Sequence, residues 1–145
     1  MRAEQLSHKF WLVLDSAKGR TVSTTVEGAM VTAILRSRDA FSCVVEGLTI
    51  QWLPQADWGT LTEQCARGLK ALHRDFALVE RDDVHSCALY RSPVSREVFW
   101  EAVLGHKESV TLTVRRFRLY DDGRNLEPFV LTEEQLAELL AEIVG

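Results

Sequence analysis

The chain has 145 residues, 46% hydrophobic and 26% charged, with three prolines and eight glycines. That is the size and composition of one compact domain, and it excludes a disordered or collagen-like chain. A formal net charge of -4 argues against a broad nucleic-acid footprint, which shows as a basic domain.

No apolar run approaches the roughly 20 residues that cross a bilayer. The first residues, Met1 to Lys9, lack a signal-peptide pattern because Glu4 interrupts them and no small-residue cleavage site follows an apolar core. The expectation is a cytoplasmic protein with no membrane association. Three cysteines, an odd number, fit a reducing compartment better than a disulfide framework. Cys43, Cys65 and Cys87 read as small buried hydrophobes, and none has the spacing of a structural zinc site.

Period-two apolar patterns predict strands over 10–14, 20–26, 29–36, 41–46 and 48–53. Turns at Glu27-Gly28 and Glu46-Gly47 separate them with residues that tolerate left-handed backbone. A helix follows: Thr60 and Glu63 have capping-box spacing, and Leu61, Cys65, Leu69 and Leu72 then share one face. Strands are predicted over 76–81, 84–91, 96–104 and 109–119, with turns at 105–109 and 121–123. The last element is a helix in which Thr132 caps, Gln135 completes the box and Leu136, Leu139, Leu140 and Ile143 form the buried stripe. Residues 1–145 thus read as a single α+β domain, a curved and mainly antiparallel sheet with two helices packed on one side.

The strand over 109–119 is irregular. Val110, Leu112 and Val114 alternate on one face, whereas Phe117 and Leu119 take the opposite parity, which implies a bulge near Arg115-Arg116 or cover on both faces. Arg115, Arg116, Arg118 and Arg124 form a local basic patch on this hairpin, either paired with acids or aimed at phosphate or an acidic partner.

Catalytic constellations are missing from the pattern. There is no Gly-x-Ser-x-Gly elbow and no phosphate-cradling glycine loop, and the four histidines are scattered. Asp82-Asp83 and Asp121-Asp122 lie in predicted turns, where solvent keeps carboxylates ionised. The expectation is a non-enzyme without cofactor or metal. The aromatic residues point to binding instead: Trp52 and Trp58 flank Pro54, and Phe99 and Trp100 face opposite sides of one strand. If Phe99 faces outward with Val103, the sheet exposes an apolar strip between Glu97 and Glu101, as a groove for a partner peptide or helix would.

The run Thr60-Leu-Thr-Glu-Gln-Cys-Ala-Arg-Gly-Leu-Lys-Ala-Leu-His-Arg-Asp-Phe-Ala-Leu-Val-Glu-Arg81, with strands 98–104 and 110–114 and the terminal helix after it, resembles the PsbP/DcrB-like bacterial α+β domains. That group includes the Eag-type adaptor chaperones of type VI secretion and several toxin-immunity proteins. The resemblance implies a non-enzymatic protein binder whose partner is a toxin, an effector or a secretion component. The segment Val110 to Gly123 with the Thr132-Glu-Glu-Gln-Leu136 helix is similar to the end of the Whirly and transcriptional-coactivator-like domains. That second resemblance implies single-stranded nucleic-acid binding through Arg115, Arg116, Arg118 and Arg124.

The expected function is a bacterial immunity or secretion-adaptor protein that masks a partner surface, with Trp52, Trp58, Phe99 and Trp100 as partner-binding residues. The alternative is a single-stranded nucleic-acid binder. Pairing of an exposed strand edge with a second copy is left open.

Overall fold

The computed structural model describes residues 2–17 and 19–145. Helix α1 (Arg2–Ser16) opens the chain, followed by strands β1 (Thr21–Val26), β2 (Ala29–Arg38) and β3 (Ser42–Trp52). Helix α2 (Trp58–Leu69) precedes β4 (Ala77–Asp82), β5 (Cys87–Arg91), β6 (Val98–His106) and β7 (Val110–Tyr120), and the short strands β8 (Gly123–Leu126) and β9 (Phe129–Thr132) lead into α3 (Glu133–Ile143). The architecture is α+β, as the sequence predicts.

Among the described residues all nine strands join one sheet, ordered β1-β2-β3-β7-β6-β5-β4 with β8 on β7 and β9 on β3, and every pairing is antiparallel. The centre of the sheet forks. The second half of β3, Leu48 to Trp52, pairs with β7, while its first half, Ser42 to Val45, pairs with β9. On the other side of the fork β8 takes the free edge of β7 from Phe117 to Tyr120.

Strand parity sorts the side chains into two faces. Val31, Ala33, Leu48, Ile50, Leu112, Val114, Ala102, Leu104 and Tyr90 share the face that is buried, and their cross-strand pairing carries one core through the sheet. The helices cover that face. Helix α1 packs on β1, β2 and α3, and α2 packs on α3. Gly68 permits the α2–α3 approach, since a Cβ there would lie 3.1 Å from Ile143 Cγ2 and 3.2 Å from Leu139 Cδ1.

The N-terminal expectation is corrected. Residues 10–14 are helical, and Ala3, Leu6, Ser7, Phe10 and Leu14 form a buried stripe at helical spacing. Over five residues the helix stripe and a strand's alternation coincide at Phe10 and Leu14. A third helix therefore joins the two predicted ones.

Other departures are local. The Glu46-Gly47 turn is absent: β3 runs through it, and the register with β2 shifts between Ile34 and Leu35. Glu46 there receives Arg20 at 2.6 Å and Arg36 at 3.1 Å, so residues read as a turn form a charged irregularity in one long strand. Helix α2 starts earlier than the Thr60 cap predicts, because Asp57 supplies the N-cap and accepts from the Thr60 N–H at 2.8 Å. In α3 the expected capping box is present in full, Thr132 with Gln135. The Glu27-Gly28 turn also holds, both residues having positive φ.

Strands β8 and β9 fill a stretch that the sequence left unassigned. No bulge interrupts β7, whose register with β6 is continuous from Val110 to Arg118. Both of its faces are instead partly covered. Two cysteines are buried as expected, with burial raising the Cys43 thiol to about 11 and the Cys65 thiol to about 12. Cys87 departs from that expectation, because it lies exposed at the start of β5 on the uncovered face.

Candidate functional site

No described helix covers the second face of the sheet. Its β1–β3 portion is polar, with Ser23 bonded to Thr32 through their hydroxyls at 2.8 Å. Toward β5–β8 the character changes. The register places Phe99 opposite Phe117, Phe117 opposite Leu126, Leu119 opposite Arg124, and Glu101 opposite both Arg91 and Arg115.

These side chains form an ordered stack. The Phe99 and Phe117 rings lie 5.7 Å apart at an interplanar angle of 30°. The Arg124 guanidinium sits 4.0 Å from the Phe117 centroid and 5.9 Å from that of Phe99, and Arg91 approaches Phe99 from the other side at 6.0 Å. Both arginines are held by Glu101, whose Oε2 accepts from Arg124 Nη1 at 2.8 Å and Arg91 Nε at 3.0 Å. The two rings are only 7% exposed beneath them, but Val103 (40%), Leu119 (37%) and Leu126 (48%) are open to solvent around the stack. The result is an apolar patch with an ion-paired aromatic and arginine centre.

Burial pushes the Glu101 carboxyl upward, but hydrogen bonds and charge from Arg124 and Arg91 outweigh it and hold the group below its ordinary value. A depressed folded-state value means that Glu101 stabilises the fold above its unfolded-state value and ceases to do so as pH falls through the folded one. Thermal melts taken from pH 7 downward are therefore expected to lose stability below about pH 4.3, the ordinary glutamate value. The Glu101→Gln protein starts lower at pH 7 and shows a shallower acid loss. Parallel pH profiles in the two proteins would refute this role of the ion pairs.

The structure separates the predicted partner-binding residues. Trp52 is 2% exposed and Trp100 is 8% exposed; both are core residues, Trp100 lying between Phe76 and Phe129. Trp58 is half-buried at the start of α2, where its Nε1 donates to Asp83 at 2.8 Å and its ring stacks on His106. Only Phe99 belongs to the open face. A tryptophan beside a proline signals burial as readily as binding, and parity alone does not say which face the helices will cover.

The four arginines also separate by parity. Arg115 and Arg124 lie on the open face, whereas Arg116 and Arg118 lie on the other. Arg118 is held by Glu127 through two contacts, at 3.0 and 3.2 Å, and Arg124 by Glu101. No continuous basic track results. Arg91, Leu119 and Leu126 are members of the patch that the sequence reading did not place there. The Asp121-Asp-Gly123 turn followed by alternating Arg124 and Leu126 was the available signal for β8.

Carboxylate and metal chemistry find no constellation among the described residues. Asp82 is held below its ordinary value by its hydrogen bonds to His85, and Asp83 by those from Arg81 and Trp58. No cluster of three histidine, cysteine or acidic side chains is arranged to hold a metal ion among the described residues, and no described helix is long and apolar enough to cross a membrane. No family model, curated protein or solved structure matches the chain.

Proposed function

We propose that the chain is a non-catalytic protein-binding module, of the immunity or secretion-adaptor type, that masks a partner's surface with the β5–β8 part of its open sheet face. The observation that supports this reading is the solvent-open apolar rim of Val103, Leu119 and Leu126 around the clamped Phe99–Phe117–Arg124 stack. Binding hot spots favour such a centre, aromatic and arginine side chains already fixed in place, because little side-chain freedom is lost when a partner covers them. The charges also suit this role better than a phosphate track, since Arg91 and Arg124 are both engaged by Glu101, which leaves the triad a single net positive charge.

The test is affinity purification of the tagged protein from its native cell, with and without nuclease, alongside the variants Val103→Arg and Leu126→Glu. Both positions are exposed, so the fold should tolerate them. A protein captured by the wild type in both halves is expected to be lost at least about tenfold, roughly 1.4 kcal/mol, in each variant. Capture that survives both substitutions, or that disappears with nuclease, would overturn the reading.

A further inference from the structure

On the buried-side face of the sheet, beyond the helices, a cavity of about 450 Å³ opens between the β5–β6 loop and the ends of β6 and β7. Cavities of that size accept small ligands. Trp100, Val98 and Pro93 give it an apolar wall, and Arg96, Arg116 and His73 give it cationic and donor groups.

Arg116 is the unusual member. Its guanidinium lies 5.6 Å from the Trp100 ring centroid, Nη2 donates to the Pro128 carbonyl, and Nε is buried with no hydrogen-bond partner. It forms no ion pair among the described residues, although neighbouring Arg118 is fully engaged by Glu127. Burial holds the Arg116 guanidinium below its ordinary value in spite of the pull of Glu127. A half-buried cation that lacks a contacting carboxylate is costly unless something else neutralises it.

The surroundings supply further donors. Arg96 forms no ion pair among the described residues and sits at φ 52°, a left-handed conformation that a non-glycine residue rarely takes. His73 Nδ1 accepts from the Asp75 N–H at 3.1 Å, which leaves the proton of the neutral ring on Nε2. With Arg96, Arg116 and Arg118 against Glu127 alone, the lining carries a formal excess of positive charge.

We propose that this cavity is an oxyanion site, which takes the carboxylate or phosphate head of a small organic acid against Arg116 and Arg96 and its body against Trp100. The site is separate from the open face, so its occupancy does not depend on the protein-binding reading.

Two probes distinguish the sources of the anion: inorganic phosphate and benzoate, each titrated into the ¹⁵N-labelled full chain at ionic strength matched with sodium chloride. The Trp100 indole N–H signal is expected to move saturably with at least one probe while those of Trp11 and Trp52 stay fixed. Movement with phosphate alone assigns a phosphate ligand, movement with benzoate alone a carboxylate, and movement with both the shared oxyanion chemistry. Arg96→Gln, an exposed change that spares the core, should weaken binding about tenfold, and Arg116→Gln should weaken it at least as much. If neither probe gives a saturable shift, or if the shift is undiminished in Arg96→Gln, there is no such site.

Discussion

Trp100→Ala is expected to lower the free energy of unfolding by about 3–5 kcal/mol, the usual cost of truncating a large buried aromatic residue. The indole packs on Phe129 at a centroid distance of 4.6 Å and on Phe76 at 6.3 Å, and it carries the Arg116 guanidinium on a further side. Its removal leaves a cavity and strips the shield from a cation that has no ion-pair partner among the described residues, so the two penalties act together. Equilibrium urea unfolding followed by circular dichroism reads the loss, which should appear as a lower midpoint with little change in slope. A Trp100→Ala protein of unchanged stability would return this residue to the surface and to partner binding, as the sequence alone proposes.

Phe10→Ala should cost a similar amount, about 3–5 kcal/mol, whereas Leu12→Asn should change stability by no more than about 0.5 kcal/mol. The contrast tests the helix. Phe10 is fully buried and packs on Trp11 at 5.6 Å, Leu14 is 1% exposed, and Leu12 between them is 57% exposed. A strand would put all three on one face and make Leu12 as costly as its neighbours. Comparable losses at 10 and 12 in the same urea experiment would contradict the helical assignment.

Phe10 and Leu12 also show where the sequence is ambiguous. A short apolar run is compatible with either period, and of the deciding residues Ala3 is small and Ser7 polar, which leaves Leu6 alone to mark the stripe before Phe10. The α3 helix was legible because its start signal and its stripe agree over eleven residues. Most central strands were legible for the same reason, their alternation being long and bounded by turn residues. Glu46-Gly47 was misread since a glutamate–glycine pair serves a bulge as well as a turn, and only the partners Arg20 and Arg36, distant in sequence, distinguish the two.

The candidate site was less legible than the fold. Parity placed Phe99 and Trp100 on opposite faces from the sequence alone, but which face is open depends on where three helices dock. Arg115 and Arg116 are adjacent in sequence and separated by the sheet. Phe117 gains its meaning only from cross-strand neighbours, Phe99 on one side and Leu126 on the other.

The fork at β3 governs the order in which the chain can complete itself. As synthesis proceeds, β1, β2 and β3 can form a meander, yet the far edge of β3 has no partner until residues 110–114 and 129–132 emerge. Helix α1 waits as well, since part of its contact is with α3 at the opposite end. High contact order of this kind slows folding and prolongs the exposure of an unpaired, apolar strand edge. The nascent chain is therefore most vulnerable to aggregation after its first third has appeared, and slower synthesis at lower temperature should do less for its yield than a holdase that covers that edge until the last strands arrive.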